Sequence, residues 1–218
     1  MTTRQIIEQT PNLREIKETD KELYPDLVRV FQKACKGNPL LEYILGTGRR
    51  REKKEFHYFN YMLKSGLKYG TVFALFEDEK PYGFGMMVAD SRRVYSLPYQ
   101  IAAGALRMVF GCGLGVVARS LIYERSIGKF RRSQLPENHL YGYFLALAPK
   151  KQRDDFRSAK FLMDGAVLFS REKNLLFYFE CMSRRHQYYY EKHGFLTAGQ
   201  FEFKRAGITF YSMRAKEQ

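Results

Sequence analysis

The sequence has no tryptophan, and it has only three cysteines and four histidines among its 218 residues. The cysteines, Cys35, Cys112 and Cys181, are odd in number and widely spaced, which argues against a disulfide framework and favours a reducing compartment. Cysteine and histidine never combine at the spacing of a zinc site, so we expect no metal. The N-terminal residues lack the apolar core of a signal peptide, and we therefore expect a cytoplasmic protein.

Long apolar runs are scarce as well. The stretch that comes nearest to a membrane span, residues 97–121, contains Gln100 and Arg107 and is closed by Arg119. A charged residue in the middle of a span is costly in lipid. We therefore expect a buried or half-buried helix here, and no membrane among the partners.

Negative charge is outnumbered: 37 lysines and arginines against 23 aspartates and glutamates give a formal net charge of +14. Such a field attracts polyanions, either phosphorylated small molecules or nucleic acid. Zinc-finger spacing, an RNP-type aromatic motif and a basic zipper are all missing, so we expect no nucleic-acid partner. The basic run at residues 49–54 is interpreted as a solvated helix face, with a phosphate or acidic-acceptor contact as the minority interpretation.

Hydrophobic periodicity predicts one α/β domain over residues 1–218, with a mixed sheet of about seven strands and about five helices. The predicted strands lie near residues 13–17, 71–76, 82–88, 139–148, 175–181, 195–204 and 208–215. The predicted helices lie near residues 20–36, 49–67, 97–131 (as one helix or two), 154–173 and 183–193.

The most specific pattern is in the last third of the chain. A strand ends at Pro149, Gln152 lies in the turn before a helix, a second strand follows, and Tyr-Glu-Lys-His-Gly-Phe occupies residues 190–195. This order resembles the acetyl-CoA-binding half of the GCN5-related N-acetyltransferase (GNAT) superfamily. The resemblance implies the GNAT fold, with residues 1–135 as a variable acceptor-side half and residues 136–218 as the coenzyme-binding half with the closing strands.

The same resemblance implies acetyl transfer from acetyl-CoA to a primary amine of a small molecule or peptide, by direct attack, in a monomer or homodimer. It assigns the pantetheine arm to the backbone of Leu145, Ala146 and Leu147. It assigns the pyrophosphate to the following turn, at a helix N-terminus whose N–H groups bind anions. The residues of that turn are Gln152, Arg153, Asp154, Asp155, Phe156, Arg157 and Ser158.

Tyr190 stands where the family has the group that protonates the departing thiolate. A tyrosine suits this role because its pKa lies above that of a thiol. Tyr188 and Tyr189 would point elsewhere on the helix. The alternative interpretation of Tyr190 is an aromatic residue packed on the sheet. Ser183 is expected to cap this helix and to hydrogen-bond the coenzyme.

The sequence does not determine the general base. Glu180 at the end of a strand, His139, and Glu137 before the first motif strand are the candidates, and each could equally be a surface or paired residue. A second function also stays open. Because Asp155 and Arg157 stand where the family has small residues, the chain could be a non-catalytic module that binds an acyl-CoA or another anion.

Overall fold

The computed structural model describes residues 12–89, 97–135, 139–149 and 156–216. Its strands are β1 Leu13–Ile16, β2 Thr71–Glu77, β3 Lys80–Val88, β4 His139–Leu147, β5 Leu176–Cys181, β6 Phe195–Phe203 and β7 Ile208–Ala215. Its α-helices are α1 Tyr24–Ala34, α2 Pro39–Leu45, α3 Arg51–Tyr69, α4 Leu97–Ala102, α5 Ala105–Cys112, α6 Leu114–Gln134, α7 Phe156–Glu172 and α8 Arg184–Lys192.

The strands form one seven-stranded sheet in the order β1-β2-β3-β4-β5-β7-β6. All neighbouring pairs are antiparallel except β4 and β5, which are parallel and joined by the crossover helix α7. The predicted α/β class with a mixed seven-stranded sheet is therefore confirmed.

The described residues contain eight α-helices where the sequence predicts about five. One extra helix, α2, begins directly at the predicted break: Pro39 takes its first position, and the Asn38 side chain accepts a hydrogen bond from the Leu41 N–H at 3.1 Å. The predicted helix at residues 97–131 is three helices, because Gly104 and Gly113, with φ of 98° and 87°, separate them.

The first predicted helix begins later than expected. Asp20 is the first residue of the predicted helix, but its carboxylate accepts a hydrogen bond from the Lys17 N–H at 2.8 Å and closes the preceding turn. A short 3₁₀ turn at Lys21–Leu23 follows, and α1 starts only at Tyr24. Asp20 therefore shapes the entry to the helix and does not cap it.

Apolar side chains fill the core on both faces of the sheet. The α6 face is covered by α1, α2, α3, α5 and α6, and its centre holds the stacked rings of Phe31 and Phe59, 4.5 Å apart. The α7 face is covered by α7 and α8, with Leu162 of α7 packed among sheet residues such as Phe177. The parallel strands β4 and β5 lie in the middle of the sheet, between these two layers.

The stretch at residues 97–121 is half-buried, as the sequence predicts. Met108 and Cys112 of α5 are buried in the α6-face core, while Leu106 and Phe110 on the other side of the same helix are exposed. Within the described residues no single helix is long and apolar enough to cross a membrane. The pair α5–α6, bent by 120°, meets the length and composition criteria only when its two helices are taken together.

Candidate functional site

Strands β4 and β5 separate partway along their length. Their register runs from His139 opposite Leu176 to Gly142 opposite Phe179 and ends there. Beyond this point β4 continues along β3 to Leu147, and β5 continues along β7 to Cys181. The two strands thus form a V-shaped opening at their carboxyl ends, the usual position of a ligand site between parallel strands.

A bulge in β4 marks the start of this opening. Met86 of β3 lies opposite Phe144 and Met87 lies opposite Gly142, so β4 carries one extra residue, Tyr143, between them. A bulge bends the strand and strengthens its twist. Beyond it, the edge of Phe144–Ala146 that faces away from β3 is not in register with β5. Such an edge can take an extended ligand through backbone hydrogen bonds.

Gly142 is the sequence signal that could have revealed the bulge. A Cβ built on this residue would lie 3.0 Å from the Phe177 ring and 3.0 Å from Phe179 Cβ. The strands therefore approach closely just before they part, and only glycine fits there without adjustment. A glycine inside a strand pattern often indicates a bulge or a close approach.

The three residues assigned to the pantetheine arm lie on this part of β4. Leu145 and Leu147 pack on the α7 face and Ala146 packs on the α6 face, while their backbone is in register with Gly83–Gly85 of β3. Their side chains are thus committed to the core, and only the backbone edge toward the opening is left for a ligand. The assignment to pantetheine stays a prediction.

The turn assigned to the pyrophosphate is described only at its end. Gln152, Arg153, Asp154 and Asp155 lie outside the described residues, as do the side chains of Phe156 and Arg157. Ser158 is buried in the first turn of α7, and its Oγ lies 3.5 Å from the Tyr82 hydroxyl of β3. The Ser158 side chain therefore joins the helix to the sheet, and any phosphate contact of this turn stays a prediction.

Tyr190 lies on the α7 face at the rim of the opening. Its ring contacts Phe179 edge-on at a centroid distance of 4.7 Å and Phe195 at 5.9 Å. Burial raises the pKa of the Tyr190 hydroxyl, and the nearby Cys181 thiol at the end of β5 raises it further. Tyr190 is thus packed on the sheet, against the residue at which β5 leaves β4, and its role as a proton donor stays a prediction.

Ser183 caps α8, as the sequence predicts. Its side chain accepts a hydrogen bond from the His186 N–H at 3.2 Å. The cap places the N-terminus of α8 directly after Cys181, at the carboxyl end of β5. A contact between Ser183 and a coenzyme stays a prediction.

On the α6 face the opening is bordered by a polar cluster of Glu124, Arg131, Tyr141 and Glu180. The Arg131 Nε and Nη2 donate to the two carboxylate oxygens of Glu180 at 3.0 and 2.9 Å, and the Tyr141 hydroxyl donates to Glu180 Oε2. The Glu180 side chain is only 6% exposed. Both of its oxygens are therefore engaged, and this geometry favours an anchor for Arg131 over a general base.

Glu124 is the member of this cluster that sequence reasoning missed. It lies in the middle of α6, its side chain is 31% exposed, and its Oε2 lies 3.4 Å from Arg131 Nη1. Burial raises the pKa of this carboxyl, Arg131 opposes the shift, and Glu180 adds to it. The sequence could have pointed to Glu124, because it is the single acidic residue of a helix that carries five basic ones.

His139 lies at the far end of β4. It is buried opposite Leu176. Glu180 is four residues further along β5, or about 13 Å at the rise of a strand. The structure therefore does not bring His139 together with Glu180 and Tyr190. Glu137 lies outside the described residues.

No family profile and no curated protein matches the sequence. Solved structures do match its fold. The chain is similar to a histone acetyltransferase HPA2-related acetyltransferase from Corynebacterium glutamicum, with a TM-score of 0.66, 17% identity and coverage of 96% of this chain and 97% of that one. It is also similar to the polyamine N-acetyltransferase of Drosophila melanogaster, with a TM-score of 0.57, 14% identity and coverage of 94% and 99%.

A third similar structure is the C-terminal condensation domain of Ebony in complex with beta-alanyl-dopamine, with a TM-score of 0.63, 13% identity and coverage of 94% and 99%. In all three cases nearly the whole of both chains is superimposed at low identity, so the likeness is one of fold. The chain therefore has the fold of the GCN5-related N-acetyltransferases, as the sequence resemblance predicts.

Proposed function

We propose that this protein is an N-acetyltransferase that transfers the acetyl group of acetyl-CoA to a primary amine. The observation that carries the proposal is the opening between β4 and β5, with Tyr190 at its rim on one face of the sheet and the Glu124–Arg131–Glu180 cluster on the other. A thioester held in the opening would meet a proton donor from one side and an amine from the other.

The coenzyme is proposed to lie on the α7 side of the opening. Its pantetheine arm would form backbone hydrogen bonds with the free edge of Phe144–Ala146 and so extend the sheet. Its phosphates would bind near the start of α7, where Lys150, Lys151 and Arg153 precede the helix in the sequence. This arrangement brings the sulfur close to the point where β4 and β5 part, within reach of the Tyr190 side of the sheet.

The amine is proposed to approach from the α6 side. It must lose a proton before it can attack, and a carboxylate whose pKa is raised is a stronger base than an ordinary one. Glu124 has this property, and unlike Glu180 it is partly exposed. If all three groups of the cluster are ionised, its two carboxylates and one guanidinium leave one negative charge, which attracts a protonated amine.

The proposed reaction has one chemical step and no covalent enzyme intermediate. Glu124 takes a proton from the ammonium group, and the nitrogen lone pair then attacks the thioester carbonyl. The tetrahedral intermediate collapses as the carbon–sulfur bond breaks, and the thiolate takes a proton from Tyr190. The nitrogen loses its second proton, which restores the Tyr190 hydroxyl through solvent, so that the amide and the free thiol are both neutral. A hydroxyl whose pKa is raised is fully protonated at neutral pH, so the donor is always in the right form.

Thiol release from acetyl-CoA tests the proposal. We expect acetyl-CoA to raise the melting temperature, because a ligand that binds only the folded state stabilises it. We also expect free coenzyme A to appear in the presence of at least one amine from a panel of polyamines, aminoglycosides, amino acids and peptide N-termini. If millimolar acetyl-CoA leaves the melting temperature unchanged, the coenzyme does not bind and the proposal is wrong.

The replacement of small residues by Asp155 and Arg157 favours a second candidate, a non-catalytic module that binds acyl-CoA. Carboxylates in the first turn of a helix compete with a phosphate for its N–H groups. The two candidates differ in one result. The enzyme gives both a thermal shift and thiol release, whereas the module gives the shift and no release with any amine.

A further inference from the structure

Helices α5 and α6 carry a group of large apolar side chains that face solvent. Phe110 is 88% exposed, Leu114 is 76% exposed and Leu106 is 57% exposed, and Ile101 of α4 and Leu121 of α6 are exposed as well. We call these five residues the α5–α6 apolar surface. Single exposed apolar residues are common on protein surfaces, but several large ones on consecutive helices are typical of an interaction site.

The turn between the two helices holds this surface away from the core. Gly113, with φ of 87°, joins α5 to α6 at an angle of 120°. Phe110 and Leu114 lie on either side of the turn, so the most exposed apolar side chains are at the tip of a bent helix pair. Cys112 anchors the inner side, because its thiol donates to the Lys54 carbonyl of α3 at 3.2 Å.

Basic residues predominate near the apolar surface. Through Lys54 the tip lies beside the start of α3, where Arg49, Arg50 and Lys53 are exposed together with one acidic residue, Glu52. On α5 itself, Arg107 is exposed next to Leu106. Residues 97–123 include no aspartate or glutamate at all. The exposed apolar side chains are therefore set in a local positive field within a chain of net charge +14.

Exposed apolar side chains together with positive charge fit a lipid bilayer better than they fit a second copy of the chain. A symmetric dimer through this surface would bring two basic regions together, and like charges would oppose it. An anionic lipid bilayer complements both features, because its interior accepts apolar side chains and its headgroups attract lysine and arginine. We propose that the α5–α6 apolar surface docks on anionic membranes, with Phe110 and Leu114 inserted at the headgroup boundary.

The proposal differs from the expectation of no membrane contact, which considered only a membrane-spanning helix. A helix pair that lies in the interface does not carry Arg107 into the bilayer centre. The long aliphatic part of Arg107 can instead lie along the apolar boundary while its guanidinium meets a lipid phosphate. Docking needs no coenzyme, so it is independent of the proposed catalytic activity.

Co-sedimentation with vesicles tests the proposal. We expect the full-length protein to bind vesicles that contain phosphatidylserine, to bind phosphatidylcholine vesicles weakly, and to be released by salt. The double substitution Phe110→Ser with Leu114→Gln should lower the affinity for phosphatidylserine vesicles by about tenfold or more, since it removes the two apolar side chains that would enter the bilayer. Arg107→Gln should reduce the preference for anionic lipid by a smaller factor.

Leu196→Gln is the control, because Leu196 is an exposed leucine on β6 and is not part of the α5–α6 apolar surface. It should bind vesicles like the parent, and circular dichroism should show that all variants are folded. Equal binding of the double variant and the parent would overturn the proposal, as would the absence of any binding to phosphatidylserine vesicles at low salt. A lipid-free dimer, measured by analytical ultracentrifugation, that dissociates on the double substitution would show instead that the surface joins two copies of the chain.

Discussion

Tyr188, Tyr189 and Tyr190 are neighbours in the sequence, yet α8 gives each a different environment. Tyr188 is 60% exposed, with the Lys192 ammonium 4.4 Å from its ring centroid. Tyr189 stacks on His193 at 4.1 Å. Tyr190 alone packs edge-on against Phe179 of β5. The 100° step of the helix therefore turns only Tyr190 of the three rings onto β5.

Replacement of Tyr190 by Phe should slow acetyl transfer without loss of coenzyme binding. The change removes one hydroxyl and keeps the ring contacts with Phe179 and Phe195. We expect kcat to fall by ~10²–10⁴-fold, the usual contribution of a general acid, with little change in coenzyme affinity. Tyr188→Phe is the control and should turn over like the parent. Equal turnover of Tyr190→Phe and the parent would mean that water protonates the thiolate.

Replacement of Glu124 by Gln should change the pH dependence of stability. Burial raises the pKa of this carboxyl above its ordinary value of 4.5, so the folded state keeps the proton over a pH range in which the unfolded chain has lost it. The contribution of Glu124 is thus most favourable below the unfolded pKa and is lost as the pH rises toward the folded one. The variant, which cannot ionise, should therefore gain stability relative to the parent as the pH rises from below 4.5 through the window between the unfolded and the folded pKa.

Urea unfolding at both ends of that window measures this difference, and the exposed Glu202 supplies the control variant Glu202→Gln.

If Glu124 is also the base, kcat of Glu124→Gln should fall by ~10²–10⁴-fold. A variant that keeps full activity would return the role to Glu180 or to a water molecule. Sequence reasoning missed Glu124, because its place beside Glu180 depends on how α6 packs against β5 through Arg131.

At the scale of elements, the alternation of apolar residues predicts all seven strands, and glycine and proline predict most helix ends. The separation of β4 from β5 was not predicted. Residues Phe144–Leu147 are apolar, as in any buried strand. Whether such a strand forms hydrogen bonds along both edges depends on its neighbours in the sheet. The pairing in this region changes at a single extra residue, Tyr143, and its partners are distant in the sequence.

Substitution of Gly142 by Ala tests how tightly the two strands approach before they part. The new Cβ would lie 3.0 Å from Phe177 and Phe179, so the strands must shift. We expect a loss of stability of about 1–3 kcal/mol, the usual cost of overpacking. Gly165→Ala within α7 is the matched control, because its Cβ would point into open space and it should stabilise the helix by about 0.5–1 kcal/mol. Thermal unfolding that ranks the two variants in the opposite order would contradict the described packing.

At the scale of the whole molecule, the excess of positive charge should show in ligand binding. Coenzyme A is a polyanion, and a protein of net charge +14 attracts it over a distance that salt shortens. We expect the Kd for coenzyme A, measured by calorimetry, to rise steadily with salt. Pantetheine, the uncharged part of the ligand, is the control and should bind weakly with little salt dependence. Parallel salt curves for both ligands would show that the protein makes no net contact with the phosphates.

The assignment of residues 1–135 and 136–218 to two functional halves of one domain stays a prediction. The core of the α6 face draws on both halves, since Phe203, Ile208 and Phe210 pack with α1 and α6 residues such as Phe31 and Ile127. An acceptor-side half and a coenzyme-side half can therefore differ in function while they share a core.

The position of β7 in the sheet has a consequence for folding. Among the described residues, in the order β5-β7-β6, strand β6 pairs only with β7, which follows it in the chain. Until residues 208–215 pair with it, β6 exposes both of its edges, and Phe201 and Phe203 lack the side chains of β7 that pack beside them. A chain cut after Gly207 would thus carry an open, partly apolar strand to which a chaperone or another chain could bind.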